Sequence, residues 1–278
     1  NYCIAHRACD VCIDKPLEFY CKTCSEFGEG REVVFQGNNT LSEFCTWLFS
    51  DLHKGITALA HNFKAYDGQF ILNHIIKLGT KLPKLIMNGN NIMKLELNGV
   101  CLIDSYNFMS FALAKFPQTF GLDELKKGYF PHLANTDDFL DYNGPYLDSS
   151  YYMPNSMSPE ARSKFIEWYN EQVKQGKTFD FQQEMQAYCR SDVDILRRGC
   201  GHFRKVFIKH GGIDPFLEAI TIADACNKVW RNNYLPKGQI AIISSKDSSK
   251  RRFSMKAIRW IQSVANEKKI FIQHARNT

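Results

Sequence analysis

The chain has 278 residues, enough for one large domain or two modest ones, and 44% of them are hydrophobic, so a packed core is within reach. Its formal charge of +6 leans toward a polyanionic partner such as nucleic acid without requiring one. No apolar run reaches the roughly eighteen residues of a membrane span, and no signal peptide is visible, so the expected setting is intracellular, nucleus or cytoplasm. The chain opens at Asn1, not Met, and runs straight into apolar sequence, which reads as a piece of a longer protein.

In chain order, residues 1–34 form a Cys-rich segment with a short strand at each edge. Five of the ten cysteines fall here, before residue 25. Leu41–Leu52 reads as a helix, Ile56–His61 as a short apolar strand and Asp67–Leu78 as an amphipathic helix. Three strands follow, Lys84–Met87, Ile92–Leu97 and Val100–Asp104, with turns at Asn88-Gly89 and Asn98-Gly99. Short helices are expected over Phe111–Lys115 and Leu122–Lys127. Residues 128–157 carry Pro, Asp, Asn and Gly, but seven Tyr or Phe among them point to an ordered loop region. Ser158-Pro159 starts a helix that runs to about Lys174. Longer helices cover Phe181–Lys209, ending at Gly211-Gly212, and Pro215–Asn232. A polar linker over 244–252 leads to a basic helix, Ser254–Asn266, and Ile270–Ala275 reads as the start of a further strand. Strand, helix, meander and then helices suggest a mixed α/β sheet flanked by helices. The expected organisation is a Cys-rich insertion (1–34), a main α/β domain (35–212), a helical extension (213–243) and a basic linker with the start of a following domain (244–278).

Two segments break the pattern of an ordinary core. In the helix from Phe181, the residues Met185, Cys189, Leu196, Cys200, Phe203 and Phe207 share a stripe, and Tyr188 and Asp192, four apart, lie on it. A carboxylate on an apolar face is costly unless it is paired or bound to a metal. Asp194 points elsewhere. The second segment, His61-Asn62-Phe63-Lys64-Ala65-Tyr66-Asp67, joins a strand to a helix. There Asp67 is either an N-cap or a metal-binding carboxylate at a strand end.

Cys9-x2-Cys12 and Cys21-x2-Cys24 offer two ligand pairs separated by Ile13–Tyr20, a spacer that could form a short hairpin around Pro16. Four thiolates suit a tetrahedral structural Zn²⁺ with no open position for chemistry. Free cysteines in a loop are the main alternative, and disulfides the lesser one. Cys3 and His6 belong to the flanking strand. Near the C-terminus Lys246, Lys250, Arg251, Arg252, Lys256 and Arg259 cluster beside an apolar stripe, as either a solvated face or a phosphate contact.

Asn62…Tyr66-Asp67 and Tyr188…Asp192 resemble the second and third exonuclease motifs of family B DNA polymerases. The wider sequence is similar to the protein-primed subgroup, chiefly polymerases of Maverick/Polinton mobile elements and related viruses. Ala60–Lys64, Asp104-Ser105, Lys115-Phe116-Pro117, Leu125–His132 and Tyr188–Leu196 carry the likeness, which extends over residues 1 to 243. The resemblance implies a ribonuclease-H-like exonuclease fold in a DNA-directed DNA polymerase, a nucleotidyltransferase of DNA replication. Its 3′–5′ exonuclease would use two Mg²⁺ or Mn²⁺ ions. By that resemblance Asp67 and Asp192 are metal ligands and Tyr188 orients the attacking water. His61, Asn62, Phe63, Tyr66, Ser105 and Tyr106 hold a single-stranded 3′ end, and Tyr66 or Phe63 stacks on a base. DNA and a terminal-protein primer are the implied partners.

The family's first motif, Asp-x-Glu on the first strand, is not found before Asn62. Residues 1–5 resemble the second strand, so the first strand is expected to be missing and this piece by itself to be inactive. Polymerase palm motifs are also absent, and Asn135-Thr136-Asp137-Asp138 is a decoy without a flanking apolar strand. A stand-alone exonuclease of the same fold and a non-catalytic, zinc-stapled nucleic-acid-binding module remain the competing readings.

Overall fold

A computed structural model describes residues 2–25, 30–79, 81–122, 128–236 and 255–270. The first strand, β1 (Tyr2–His6), pairs antiparallel with β2 (Glu32–Gln36), in register from Tyr2 opposite Gln36 to His6 opposite Glu32. The cysteine loop joins them, with the short helix α1 (Lys22–Ser25) inside it. The expected hairpin at Ile13–Tyr20 is absent. Backbone bonds such as Ile13 N to the Cys9 carbonyl and Phe19 N to the Pro16 carbonyl wind this stretch into successive turns instead.

Helix α2 (Thr40–Leu48) leads through a 3₁₀ turn at Asp51–His53 to β3 (Thr57–Ala60). Helix α3 spans Asp67–Leu78, the bounds its apolar spacing implied, and stops at Gly79, whose φ of 65° is a left-handed cap. A meander follows, β4 (Lys84–Asn88), β5 (Asn91–Leu97) and β6 (Val100–Asp104). Asn98 and Gly99 both have positive φ, 51° and 81°, the backbone a two-residue type I′ hairpin demands.

The four strands form one mixed sheet in the order β3-β6-β5-β4. Only β3 and β6 run parallel, and Ala60 lies opposite Asp104 at their C-terminal ends. The two chain segments leaving those ends therefore emerge side by side. Strand alternation sends neighbours to opposite faces. Leu102 joins Cys45, Leu48, Ile71 and Ile75 of α2 and α3 in one core. Ile103 joins Phe116, Ile195, Cys200 and Phe216 in another. Helix α4 (Phe116–Phe120) supplies Phe116 to the second core. The mixed sheet with helices on both faces is the layered α/β arrangement the element order suggested.

Residues 128–157 fold as a string of 3₁₀ turns and the short strand β7 (Asn143–Pro145). Helix α5 (Pro159–Lys174) is capped by Ser158 Oγ, which accepts from Ala161 N at 3.3 Å. Strand β8 (Thr178–Asp180) pairs with β7. A third core of Phe130, Leu147, Phe179 and Phe181, with Tyr142, Tyr146 and Tyr151 around it, explains why a Pro- and Gly-bearing stretch is ordered.

Helix α6 (Phe181–Gly211) is the longest element, and Gly212 ends it at φ 68°. The expected single helix after it is broken into α7 (Pro215–Glu218) and α8 (Ile222–Asn233). Ala219 is extended, and the Thr221 hydroxyl accepts from Asp224 N at 3.2 Å, so Thr221 caps a new start. Residues 1–233 form one compact unit and residues 234–278 a second. In the second, α9 (Met255–Glu267) matches the expected basic helix, and Lys256 and Arg259 are exposed. Most of the helix Leu122–Lys127, the linker with Lys246, Lys250, Arg251 and Arg252, and the strand expected from Ile270 lie outside the described residues.

Candidate functional site

The loop between β3 and α3 is built on Asp104. This carboxylate at the end of β6 is fully buried. One oxygen accepts from Asn62 N at 2.9 Å and Tyr106 N at 2.8 Å, and the other accepts from Lys64 N at 3.0 Å. A single side chain thus satisfies backbone donors of both segments that leave the parallel strand ends. Asn62 takes a left-handed φ of 61°, which Asn tolerates better than most residues. The His61 ring is held between Ser105 Oγ (2.9 Å from Nδ1) and the Phe111 carbonyl (3.0 Å from Nε2). Ser105 Oγ in turn donates to the Ala60 carbonyl at 3.0 Å.

These contacts divide the residues expected to hold DNA. Phe63 and Ser105 are completely buried. Gly68 lets Phe63 sink into the core, since a Cβ there would lie 3.0 Å from the ring. Phe63 is thus an anchor of the loop, out of reach of a base in this structure. Tyr66 is 67% exposed and leans on Phe70 with centroids 5.5 Å apart. Tyr106 is half-buried, between His61 and the Lys64 ammonium, which lies 4.6 Å from its ring centre.

Asp67 is the first residue of α3, and the side chain of the preceding Tyr66 makes no capping bond. Although its surface is exposed, the protein crowded around its carboxyl raises its pKa, and the negative charge of Asp104 adds to the rise. The Cys3 thiol on β1 is pushed up to about 12, first by burial and then by Asp67 and Cys189. β1, the start of α3 and the middle of α6 therefore share one electrostatic neighbourhood.

On α6, Tyr188 packs between Phe130 and His132, each 5.5 Å away between ring centres. Met185 and Tyr188 belong to the third core, while Ile195, Leu196 and Cys200 belong to the second. Half-buried Asp192 sits in the interval between them. The stripe read from the sequence is thus two stripes with a carboxylate at their junction. Asp194 pairs with Arg197.

The four cysteines converge. Cys9 Sγ lies 3.7 Å from Cys12 Sγ and 3.5 Å from Cys21 Sγ, and Cys12 Sγ lies 3.5 Å from Cys24 Sγ. All four sulfurs fall within 4.8 Å of one another, and three of the residues are buried. The backbone N–H of Cys24 draws the Cys21 thiol down to about 7, aided by neighbouring sulfurs, while burial pushes the Cys12 and Cys24 thiols up. Among the described residues this is the only close group of three or more such donors. Asp67, Asp104 and Asp192 form no comparable cluster.

Sequence pattern by itself does not single out Asp104 as the loop's anchor or a row of basic residues on α6 that reach the N-terminal segment. Arg190 grips Glu32 of β2 through Nε (2.7 Å) and Nη2 (2.5 Å), and Arg197 donates to the carbonyls of Cys12 (3.0 Å) and Ile13 (2.7 Å). An Asp closing an apolar strand just before Ser-Tyr-Asn was the available signal for Asp104. The α6 cations repeat at helical spacing, but nothing local names their partners.

A mixed α/β domain with strand-end loops and a thiol cluster defines a broad class only. A family model described as DNA polymerase type B, organellar and viral, matches residues 52–258, more than half of the chain. The chain belongs to that family of type B DNA polymerases. It is 26% identical over 208 residues to a "Probable DNA polymerase" of Neurospora intermedia, covering 70% of this chain and 21% of that protein. It is 25% identical over 219 residues to a "Probable DNA polymerase" of Ascobolus immersus, covering 73% of this chain and 17% of that protein. The chain thus spans about a fifth of the length of these curated relatives. No solved structure gives a significant match.

Proposed function

We propose that this chain is the 3′–5′ exonuclease-type part of a DNA-directed DNA polymerase of the protein-primed kind, with DNA and a terminal-protein primer as partners of the whole enzyme. The observation that carries the reading is the coincidence of family membership with Asn62…Tyr66-Asp67 on a strand-end loop and Tyr188…Asp192 on α6. A ribonuclease-H-like arrangement agrees with parallel β3 and β6 carrying an antiparallel extension. It also agrees with the hairpin β1–β2, because among the described residues β1 and β3 each have one unpaired ladder edge. The reading calls for an Asp-x-Glu strand between those edges, supplied by the polymerase.

In this assignment Asp67 and Asp192 would ligate Mg²⁺ or Mn²⁺, ions that activate water and stabilise the leaving oxygen. The donor set among the described residues is short of that task. Among the described residues neither Asp67 nor Asp192 belongs to a close group of three or more ligand side chains, and Asp104 is committed to backbone N–H groups. The described residues by themselves therefore carry no complete two-ion site for hydrolysis. Its own contributions are an exposed Tyr66 for base stacking, a Tyr188 ring held by Phe130 and His132, and a His61–Asn62 backbone held by Asp104. The cysteine cluster fits a structural Zn²⁺, since four convergent thiolates leave no open coordination position.

The test uses a 3′-labelled single strand with Mg²⁺ or Mn²⁺. The 278-residue chain is expected to leave it intact, and a polymerase that includes the Asp-x-Glu strand to shorten it. In that longer protein Asp67→Ala and Asp192→Ala are each expected to abolish shortening. Degradation by the 278-residue chain that Asp192→Ala removes would overturn the incomplete-site reading. Unimpaired degradation in both variants of the longer protein would overturn the residue assignment.

A further inference from the structure

The loop from Cys9 to Cys24 has little to hold it together except its sulfurs. Its buried residues are Cys12, Cys21 and Cys24, with Cys9 packed on them, and its only regular element is the four-residue α1. So small a core needs a staple. Two guanidinium groups nevertheless converge on it. Arg31 is 3% exposed and donates to the carbonyls of Cys12 (2.6 Å) and Pro16 (2.7 Å). Arg197, 6% exposed, reaches the same Cys12 carbonyl from α6 and the Ile13 carbonyl as well.

Arg197 is already paired with Asp194, whereas a buried Arg31 cation beside four neutral thiols adds a desolvation cost. Four thiolates on a divalent ion carry two net negative charges, which suits a loop flanked by the buried Arg31 guanidinium. The contact continues along α6. Gly201 leaves room for Ile13, whose Cγ1 would lie 2.8 Å from a Cβ there. Lys205 pairs with Asp14 at 2.7 Å, and Arg204 pairs with Asp10. The loop is thus fastened over more than two turns of the helix that carries Tyr188 and Asp192.

We propose that the cysteine loop is a zinc-dependent clamp on α6, with Arg197 the positioning residue that couples the metal site to the helix bearing Tyr188 and Asp192. The proposal rests on the zinc assignment above, and the two can fail separately. With Zn²⁺ bound, the loop presents the Cys12 and Ile13 carbonyls at a set place, and Arg197 holds α6 to them. Without it, the four sulfurs are no longer held together, and the loop's acceptors for Arg197–Lys205 are no longer set in place.

The experiment is zinc analysis and amide hydrogen exchange on the full chain, as purified, after chelation under reducing conditions, and after Zn²⁺ is restored. One Zn²⁺ per chain is expected. Removal should speed exchange in peptides of α6 about tenfold or more, leave α5 within about twofold, and be reversed by Zn²⁺. In Arg197→Gln, zinc should still bind while α6 exchanges fast whether or not it is present. A chain that holds no Zn²⁺ overturns both the metal assignment and the clamp. Bound Zn²⁺ whose removal leaves α6 unchanged overturns the clamp alone, as does a removal that unfolds α5 equally. If Arg197→Gln does not fold, the exchange comparison on the unaltered chain decides.

Discussion

At the scale of single residues, two aspartates near one loop do opposite work. Asp104 is buried and saturated by three backbone N–H donors, so it is part of the scaffold. Removing it in Asp104→Ala strands those donors in the interior, and we expect a loss of about 3 kcal/mol, read as a lower midpoint in urea. A loss under about 0.5 kcal/mol would mean the loop does not depend on it. Asp67 is the reverse case, because its pKa is raised in the folded chain. A raised carboxyl contributes stability that is present below its unfolded pKa and is lost as pH rises through the folded value. At neutral pH its ionised form is therefore unfavourable. Asp67→Asn should melt slightly higher at pH 7, by less than about 1 kcal/mol because the group is exposed, and match the parent chain near pH 3. A lower melting point at pH 7 would contradict a strained carboxylate and favour a capping role.

At the scale of elements, the junction of β1, β2 and α6 is where the N-terminal hairpin is tied on. Glu32 takes two bonds from Arg190 and lies 3.1 Å from His6 Nε2. Burial would raise the Glu32 pKa, but the Arg190 and His6 contacts outweigh it and hold the carboxyl below 4.5. Burial dominates at His6 and lowers its pKa below 6.5, against the pull of Glu32. Both folded values lie below the unfolded ones, so both contributions are present above the unfolded pKa and are lost as pH falls. Thermal stability should drop in two stages, one below pH 6.5 and one below pH 4.5. Glu32→Gln should shrink the lower stage, to which Asp14, Glu96 and Asp148 also contribute, and cost about 1 kcal/mol at pH 7, since Arg190 is partly exposed. An unaltered acid profile in Glu32→Gln would show that the junction is not electrostatic. Farther along α6, close neighbours from the cysteine loop and α4 explain why the helix carries two poor helix formers. A side chain at Gly199 would collide with Phe116, and one at Gly201 with Ile13.

At the scale of the whole molecule, the sheet and its two cores bring the C-terminal ends of β3 and β6 together. That is where open α/β sheets place their functional loops. The type B polymerase family spans both compact units, since its match runs from residue 52 to residue 258. No described helix is long and apolar enough to cross a membrane.

Much of this was legible from neighbours in sequence. The α3 bounds, the Ser158 cap, the type I′ turn at Asn98-Gly99, the meander and the pairing of Cys-x2-Cys units depend on contacts a few residues apart. Short-range patterns encode those directly. The burial of Phe63 and Ser105 and the division of the α6 stripe into two were not legible. Each depends on which distant element arrives at that face. The same holds for Arg197 on Cys12 and Arg190 on Glu32, separated by 185 and 158 residues along the chain. A cation at helical spacing declares that it will face something, but only the assembled fold selects the carbonyl or carboxylate it meets, because that choice is made by packing across the molecule.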